Sequence, residues 1–389
     1  GIKYWDIGQG SYLTDGKAGM SSGKSVTERL FSFFARANYS YQDKYMLSAS
    51  IRHEGSSKFA ADNRWANFWS ATAGWRISNE EFMKDFDWLD DLKIRFGYGV
   101  TGNNDFSATY MANMLGSDTN WMMPNGTWAY SYGKSQNVNP NLGWEEKKEW
   151  NLGVDYSFFE GRLYGKFDYY RREVDNLLFS VKVPQPPYTQ GSQMQNIGSM
   201  ESKGWEFEVG GDIIRTKDFT WSSSMNLSHN TGKILTLEGD NSYHNGNGFV
   251  APGTPGDAAR MEAGSTIGSF YMWKFAGFDD EGSFLLYNKD GEVIPAAQKT
   301  ENDKQYIGNY TPKLIIGWSH TLTYKNFDLG INLRSWIDFD VYNTINMYYG
   351  IQGQGNLNVL KDAYGKFNHI KGEKQICDYF LEDGTFLKI

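Results

Sequence analysis

Residues 30–54 alternate between apolar and polar side chains, and a short polar stretch at 42–44 divides them into two halves. Because successive side chains of a strand point to opposite faces, this alternation predicts a hairpin with one apolar and one polar face. The apolar positions are Phe31, Phe33, Ala35, Ala37, Tyr39, Tyr41, Tyr45, Leu47, Ala49 and Ile51. The other face carries Ser32, Arg36, Asn38, Ser40 and Gln42 in the first arm, where Phe34 is an exception, and Lys44, Ser48, Ser50, Arg52 and Glu54 in the second. Each arm has about ten to twelve residues, which is typical of a tilted strand that crosses a bilayer.

The same alternation recurs along the chain and predicts about ten to twelve strands in total. Further strands are expected at 65–78, 92–101, 149–159, 163–174, 205–213, 219–230, 265–279, 312–324 and 327–338, with another beginning at 386–389. Residues 1–28 show no period and are expected to be irregular, and residues 79–91 are expected to hold one helical turn. The pattern leaves open whether 283–287 is a further crossing.

The predicted strands are joined alternately by short turns and by long loops. Short turns are expected at 42–44, 160–162, 216–218 and 325–326, and long loops at 102–144, 175–202 and 231–264. Outer-membrane barrels have this asymmetry, with short periplasmic turns and long extracellular loops. The pattern therefore favours an all-β fold, a transmembrane antiparallel β-barrel, with its long loops on one side.

Composition narrows the class of protein further. Aromatic residues make up 16 % of the chain, and glycine (43) is abundant while proline (9) is scarce. Long strands with aromatic ends produce this balance, and so does a soluble, aromatic-rich carbohydrate-binding or hydrolase β-domain. The net charge of −8 argues against a nucleic-acid binder, which normally carries a basic patch. No apolar run of about 18 residues occurs, which excludes a helical membrane protein.

No catalytic constellation stands out, so the chain is not expected to be an enzyme or to bind a cofactor. The single cysteine, Cys377, excludes a disulfide framework and a cysteine-built metal site. Aromatic residues in the long loops are the candidates for stacking on a sugar ring, and their alternative role is loop packing or contact with a partner. These candidate substrate-binding residues are Trp121, Trp128, Tyr130, Tyr132 and Tyr188. Aromatic residues at strand ends are better explained as an interfacial girdle, and they include Trp65, Trp75, Trp150 and Trp205.

Several blocks of the sequence resemble one family. They are LFSFFARANYSYQDKYMLSASIRHEGSSKF (30–59), NRWANFWSATAGWRIS (63–78), WLDDLKIRFGYGVTGNN (88–104), NPNLGWEEKKEWNLGVDYSFFEGRLYGKFDYYRREVDNLL (139–178), NIGSMESKGWEFEV (196–209) and YKNFDLGINLR (324–334). In this order they resemble the barrel of SusC/RagA-type TonB-dependent outer-membrane transporters.

The resemblance implies a multi-pass outer-membrane barrel of about 22 strands, plugged by an N-terminal domain. It also implies import of glycan fragments or oligopeptides, delivered by a SusD-like surface lipoprotein and driven by the TonB complex. The plug and the TonB-contacting segment have no counterpart here, and the family usually continues beyond 385–389. Residues 29–389 are therefore expected to be an incomplete part of the barrel, preceded by the irregular residues 1–28.

The resemblance also suggests a comparison for one turn of the chain. Its members often have a calcium-loop-like DxNGDG turn, where this chain has Asn288-Lys289-Asp290-Gly291-Glu292. A plain turn is the favoured interpretation, because full oxygen ligation needs more acidic residues at alternating positions.

Transport is the leading function, since strand length and loop asymmetry already favour it. A soluble carbohydrate-binding or hydrolase domain and an outer-membrane adhesin are the alternatives.

Overall fold

A single large antiparallel sheet dominates the computed structural model, which describes residues 5–12, 18–24, 28–107, 115–237, 243–245, 258–351, 358–363 and 375–388. The strands are β1 (Trp5–Tyr12), β2 (Ala18–Lys24), β3 (Leu30–Tyr41), β4 (Tyr45–Ser56), β5 (Trp65–Arg76), β6 (Leu89–Asn103), β7 (Leu115–Met122), β8 (Trp128–Lys134), β9 (Glu145–Phe158), β10 (Leu163–Asp175), β11 (Leu178–Lys182), β12 (Ser192–Asn196), β13 (Ser199–Arg215), β14 (Phe219–Thr236), β15 (Tyr243–Asn245), β16 (Arg260–Glu262), β17 (Ser269–Met272), β18 (Lys274–Phe278), β19 (Phe284–Tyr287), β20 (Val293–Pro295), β21 (Gln305–Asn309), β22 (Leu314–Tyr324), β23 (Phe327–Ile337), β24 (Asp340–Tyr342), β25 (Leu381–Asp383) and β26 (Phe386–Lys388). Within the described residues one α-helix is present, α1 (Thr344–Tyr349).

The main sheet has eleven strands in the order β3-β4-β5-β6-β9-β10-β13-β14-β22-β23-β26. Each strand of the main sheet pairs with the main-sheet strand that follows it along the chain. Successive connections therefore lie at opposite ends of the sheet. At one end of the sheet the connections are 42–44, 77–88, 159–162, 216–218 and 325–326. At the other end they are 57–64 and the four long connections after β6, β10, β14 and β23. The predicted strand total and the separation of short turns from long loops are thereby confirmed.

The strand register confirms the two faces that the alternation predicts. On the apolar face Ala37 lies opposite Ala49, Ala49 opposite Ala71, and Ala71 opposite Tyr98. On the polar face, one residue along, the hydroxyls of Ser50 and Ser70 are hydrogen-bonded at 2.7 Å. The apolar face has no covering layer within the described part of the chain, and large side chains such as Leu329, 55 % exposed, remain uncovered.

Two hydrophobic clusters lie at the long-loop end of the sheet. The smaller consists of Phe59, Phe68, Phe106, Leu142 and Trp144. The larger, which we call the loop core, consists of Ala258, Phe270, Met272, Trp273, Phe284, Leu286, Tyr342, Met347, Ile351, Ile376, Cys377 and Phe380. Because its members come from the β14–β22 and β23–β26 connections, these two loops fold together, and we call their described residues the loop unit.

Several sequence predictions are wrong where the chain forms structure of its own outside the main sheet. The predicted irregular segment 1–28 contains the paired strands β1 and β2. The long loops predicted at 102–144 and 175–202 are present, but they are not irregular throughout, because they contain the hairpins β7–β8 and β11–β12. The helical turn predicted in 79–91 is confirmed as a short 3₁₀ turn at Glu81–Met83.

The predicted single strand at 265–279 is also wrong. This segment forms β17 and β18, which belong to two small sheets, and 283–287 adds β19 to the second of these rather than to the main sheet. The alternation there arises because Phe270 and Met272 point into the loop core. A loop that folds on its own core has the same period of two as a strand that faces a membrane.

Helices of the described residues include none that is long and apolar enough to span a membrane.

Candidate functional site

Charged side chains on the polar face form ion pairs that link neighbouring strands. The guanidinium of Arg95 in β6 donates two hydrogen bonds, of 2.8 and 2.9 Å, to the carboxylate of Asp155 in β9. It also donates at 3.2 Å to Asp168 in β10. A bidentate arginine–carboxylate pair fixes both orientation and distance. Three strands of the polar face are therefore held in register by one arginine.

A second group of polar-face contacts lies nearer the long-loop end. Nε of Arg172 donates to Glu149 at 2.8 Å, and the guanidinium lies 4.6 Å from the centre of the Tyr170 ring. On the other side of Asp168, Lys166 pairs with Glu208 at 3.1 Å. Basic and acidic groups thus alternate along this face, which suits a polar passage better than a packed core.

Close packing beneath Tyr170 depends on a glycine in the neighbouring strand. A Cβ atom on Gly204 would collide with the backbone oxygen of His229 and would lie 2.7 Å from the hydroxyl of Tyr170. The first of these contacts is with backbone, which cannot move without disturbing the strand. The absence of a side chain at Gly204 therefore lets Tyr170 lie flat across β13.

Replacement of Gly204 by alanine should destabilise the sheet by about 1–3 kcal/mol, because overpacking forces strand and ring apart. Gly330 is the matched control, since it lies in β23 and its Cβ would meet nothing within 4 Å. Gly330→Ala should be neutral or slightly stabilising. Urea midpoints of the two variants in detergent measure the difference. Equal midpoints would show that the ring adapts to the extra methyl group.

A groove on the polar face provides space for a ligand. Its volume is about 530 Å³, and its lining includes Asn38, Ser48, Thr72, Lys93 and Arg95. Hydroxyl, amide and basic groups are suited to hydrogen-bonding sugar hydroxyls or peptide groups. The groove is therefore a candidate contact surface for a polar solute that passes along this face.

At the long-loop end, Asn137 anchors a tight loop that carries one of the predicted ligand residues. The side-chain amide of Asn137 donates to the backbone oxygens of Gln190 (2.7 Å) and Ser192 (2.8 Å). Its oxygen accepts a hydrogen bond from the backbone N–H of Thr189 at 3.2 Å. The loop, 183–191, is closed by a hydrogen bond from Val183 N–H to the oxygen of Gly191. Asn137 thus fixes the position of Tyr188.

Further amide side chains connect the β6–β9 loop to the β10–β13 loop by hydrogen bonds. Asn139 donates to the backbone oxygen of Met194 at 3.0 Å. Asn196 accepts from the N–H of Gly143 at 2.7 Å and donates to its oxygen at 2.9 Å. Sequence reasoning missed these residues. The spacing of Asn137, Asn139 and Asn141 at every second position was the available signal.

Of the five predicted ligand residues, only Tyr188 has a side chain within the described part of the structure. Tyr188 is half-buried in the loop that Asn137 anchors, and its N–H donates to the oxygen of Pro184 at 3.4 Å. The side chains of the other four lie outside the described residues: Trp121, Trp128, Tyr130 and Tyr132. Their backbones belong to the β7–β8 hairpin, in which Trp121 lies opposite Ala129 and Tyr130 opposite Asn120. A role in ligand contact stays a prediction for all five.

The loop unit is held together by contacts between its two loops. Trp273 N–H donates to the oxygen of Ile376 at 3.2 Å, and Phe275 N–H donates to Asp378 at 2.6 Å. The indole N–H of Trp273 donates to Thr300 at 2.8 Å. Cys377 is fully buried beside these contacts, and burial raises the pKa of its thiol to about 12. The thiol therefore stays protonated and acts as a packing group.

The turn at 288–292 is built from hydrogen bonds within the chain. The side-chain oxygen of Asn288 accepts from the N–H groups of Asp290 (3.0 Å) and Glu292 (2.8 Å). Asp303 accepts from the N–H of Lys289 and from Thr300, whose hydrogen bond holds the pKa of this carboxyl below its usual value. In the described ranges no group of three or more His, Cys, Asp or Glu residues is placed to hold a metal.

Aromatic side chains occupy the apolar face near both strand ends. Towards the long loops, Trp69 contacts Tyr98 (5.2 Å between ring centres) and Trp150 contacts Tyr169 (5.4 Å). At the short-turn end the ring of Trp88 stacks on Phe158 at 5.6 Å. Two aromatic belts that flank an apolar band are typical of a barrel in a membrane.

A family model described as TonB dependent receptor-like, beta-barrel, matches residues 3–343. The chain belongs to this TonB-dependent receptor family. The TonB-dependent receptor SusC of Bacteroides thetaiotaomicron is 32 % identical over 96 % of the chain and 38 % of its own length. The TonB-dependent receptor P3 of Formosa agariphila is 30 % identical over 92 % of the chain and 38 % of its own length.

Solved structures agree with this assignment. The structure of the RagAB peptide transporter superposes with a TM-score of 0.75 at 25 % identity, covering 96 % of this chain and 41 % of that one. The resemblance to the SusC/RagA type and the predicted all-β barrel fold are both confirmed. The chain spans about two fifths of the length of these relatives, so the main sheet of this TonB-dependent receptor corresponds to a part of their barrels.

Proposed function

We propose that this chain is part of the barrel of a SusC-type, TonB-dependent importer in the outer membrane. The substrate would be a glycan fragment or an oligopeptide delivered by a SusD-like surface lipoprotein. The observation that carries the proposal is the division of the main sheet into an apolar face with aromatic ends and an ion-paired polar face. In a barrel of this family the first meets lipid and the second lines the lumen.

A soluble β-domain fits the apolar face poorly. The uncovered side chains include Phe96 (49 % exposed), Leu152 (42 %) and Phe167 (39 %), which lie near one another on three adjacent strands. A soluble sheet would bury such a face against a second layer. The curated relatives reported above are also named as receptors rather than as enzymes.

The long-loop end is the proposed place where substrate and lipoprotein meet the barrel. It carries the β7–β8 hairpin, the loop anchored by Asn137 and the loop unit, all on the side opposite the short turns. The aromatic residues predicted from the sequence are concentrated there. Energy from the TonB complex would reach the barrel through regions that correspond to the parts of the relatives outside the matched stretch.

Replacing Trp121, Trp128 and Tyr130 together by alanine should reduce uptake at least tenfold. Stacking of one aromatic ring on a base is worth about 1–3 kcal/mol, and we assume that a sugar face is comparable or weaker. A loss of about 1.4 kcal/mol already corresponds to a factor of ten. Barrel assembly should be unchanged, because the β7–β8 hairpin lies outside the main sheet.

The measurement is uptake of labelled oligosaccharides and oligopeptides by cells that express the full-length protein, together with its surface level and co-purification of the lipoprotein. Phe82→Ala with Phe86→Ala is the control, since both are exposed aromatics at the short-turn end. Normal uptake by the triple variant at a normal surface level would remove these residues from the site. Uptake of neither class by the unmodified protein would favour an adhesin.

A further inference from the structure

Four basic residues form a patch on the apolar face, at its long-loop end. Lys148 of β9 lies opposite Glu173, which lies opposite Glu201. Lys233 of β14 continues this row, opposite Glu201. In the next row towards the centre of the sheet, Arg171 of β10 lies opposite Trp150 and also opposite Lys203 of β13. We call Lys148, Arg171, Lys203 and Lys233 the basic rim patch.

The basic rim patch directly adjoins the aromatic belt. The row below it contains Leu152, Tyr169, Trp205 and His229, aligned across the same four strands. Because a strand rises about 3.3 Å per residue, the two basic rows lie within roughly 7–13 Å of this aromatic row. Tryptophan and tyrosine mark the boundary between hydrocarbon and headgroups. The patch therefore lies at headgroup depth, on the side of the long loops.

Two cations of the basic rows are more exposed than the carboxylate that they share. Glu201 forms ion pairs with Arg171 at 2.6 Å and with Lys203 at 4.0 Å, while Lys148 pairs with Asp175 of the next row at 2.6 Å. The two rows hold four cations and the carboxylates of Glu173 and Glu201, and the carboxylates of Asp175 and Glu146 lie in the next row towards the long loops. The side chain of Glu201 is only 13 % exposed, whereas those of Arg171 and Lys203 are 48 % and 51 % exposed. The positive groups are thus the ones presented outwards.

The chemistry of these groups fits phosphate. A guanidinium has five N–H donors in a planar arrangement that matches phosphate oxygens, and one ion pair with Glu201 leaves donors available. Basic side chains at headgroup depth attract anionic lipids. The neighbouring rings of Trp150 and Tyr169 would contact the start of the acyl chains or a sugar of the headgroup.

We propose that the basic rim patch binds the phosphate groups of a phosphorylated glycolipid of the outer leaflet, of the lipid A type. The inference rests on the proposed outer-membrane function, which places the long-loop end in that leaflet. The bound lipid would occupy the outside of the barrel and take no part in the passage of substrate along the polar face.

The test compares the full-length protein with its Arg171→Gln/Lys203→Gln variant. Loss of two basic residues at an anionic surface should weaken binding of bis-phosphorylated lipid A by roughly tenfold or more. Native mass spectrometry and titration of the purified, assembled protein measure this binding. Arg171→Lys/Lys203→Arg should keep it, and so should Arg162→Gln/Lys217→Gln, which removes two exposed cations at the short-turn end.

Lipid A stripped of its phosphates should bind as weakly to the unmodified protein as intact lipid A binds to the glutamine variant. Equal binding of intact lipid A to both proteins, or of both lipids to the unmodified protein, would overturn the proposal. A preference for phosphatidylglycerol would overturn the assignment to an outer-leaflet glycolipid. Failure of the unmodified protein to reach the outer membrane would refute the proposed function. Normal assembly and uptake with unchanged lipid binding would refute only this inference.

Discussion

Replacement of Phe380 by alanine is expected to destabilise the loop unit by about 3–5 kcal/mol. Phe380 is fully buried, and its ring lies 6.1 Å from that of Phe284 and 6.2 Å from that of Tyr342. Phe284 belongs to the β14–β22 connection and Phe380 to the β23–β26 connection. Removal of the ring therefore leaves a cavity where the two loops meet. The main sheet should persist, because no strand of its ladder contributes to the loop core.

Hydrogen exchange and limited proteolysis of the assembled protein can separate these two effects. Peptides from 258–310 and 375–383 should lose protection in the Phe380→Ala variant, and those from β9, β10 and β13 should keep it. Ile345→Ala is the control, since this side chain lies in α1 of the same unit and is 55 % exposed. Its effect should stay within about 0.5 kcal/mol. Unchanged protection in the Phe380 variant would show that the loops do not share one core.

Replacement of Ala49 by arginine should cost about 2–4 kcal/mol of barrel stability, as expected for a charge on the lipid face near the midplane. Ala49 lies in the middle of β4, between Ala37 and Ala71 of the neighbouring strands. These small side chains leave an apolar groove of about 420 Å³, rimmed by Tyr39 and Phe96. An arginine there has no acidic partner opposite it and must extend along the groove towards a membrane surface.

Two control variants separate the effect of the charge from the effects of side-chain size and of the sheet face on which the side chain lies. Ala49→Leu fills the same groove without a charge and should be close to neutral. Ser50→Arg places the charge on the polar face, where it should cost much less, although Arg36 lies directly opposite. A folding assay in lipid vesicles gives the three free energies. Equal tolerance of arginine at positions 49 and 50 would contradict the assignment of the faces.

The strands of the main sheet could be predicted from the sequence because their signal is local. Each strand that faces lipid on one side and a polar lumen on the other must alternate, whatever its neighbours are. The prediction of 163–174 therefore agrees with β10 (Leu163–Asp175) to within one residue at each end. The turn at 160–162 was equally readable, because Gly161 adopts a positive φ of 76°, which glycine favours.

The loop elements could not be predicted in the same way, because their partners are distant in the sequence. The apolar positions at 269–278 alternate like a membrane strand, yet they face a core completed by residues some hundred positions later, such as Phe380. For the candidate site, the sequence indicated Tyr188 as a loop aromatic, but not that Asn137 holds its loop across 53 positions to Gln190. The every-second spacing of Asn137 and Asn139 marks them as unusual, but it does not indicate which distant backbone groups they bind.

The sequence by itself determined the local properties of this protein: two-faced strands, their short turns, their family and the concentration of aromatic residues in long loops. These follow from side chains that must suit lipid or water at each successive position. Only the tertiary structure decided which charges meet, as when Arg95 joins Asp155 and Asp168. It also decided that Arg171 lies opposite Lys203 in one row of the apolar face and that the aromatic belt occupies the row below. Register across strands sets these contacts, and register depends on the packing of the whole sheet.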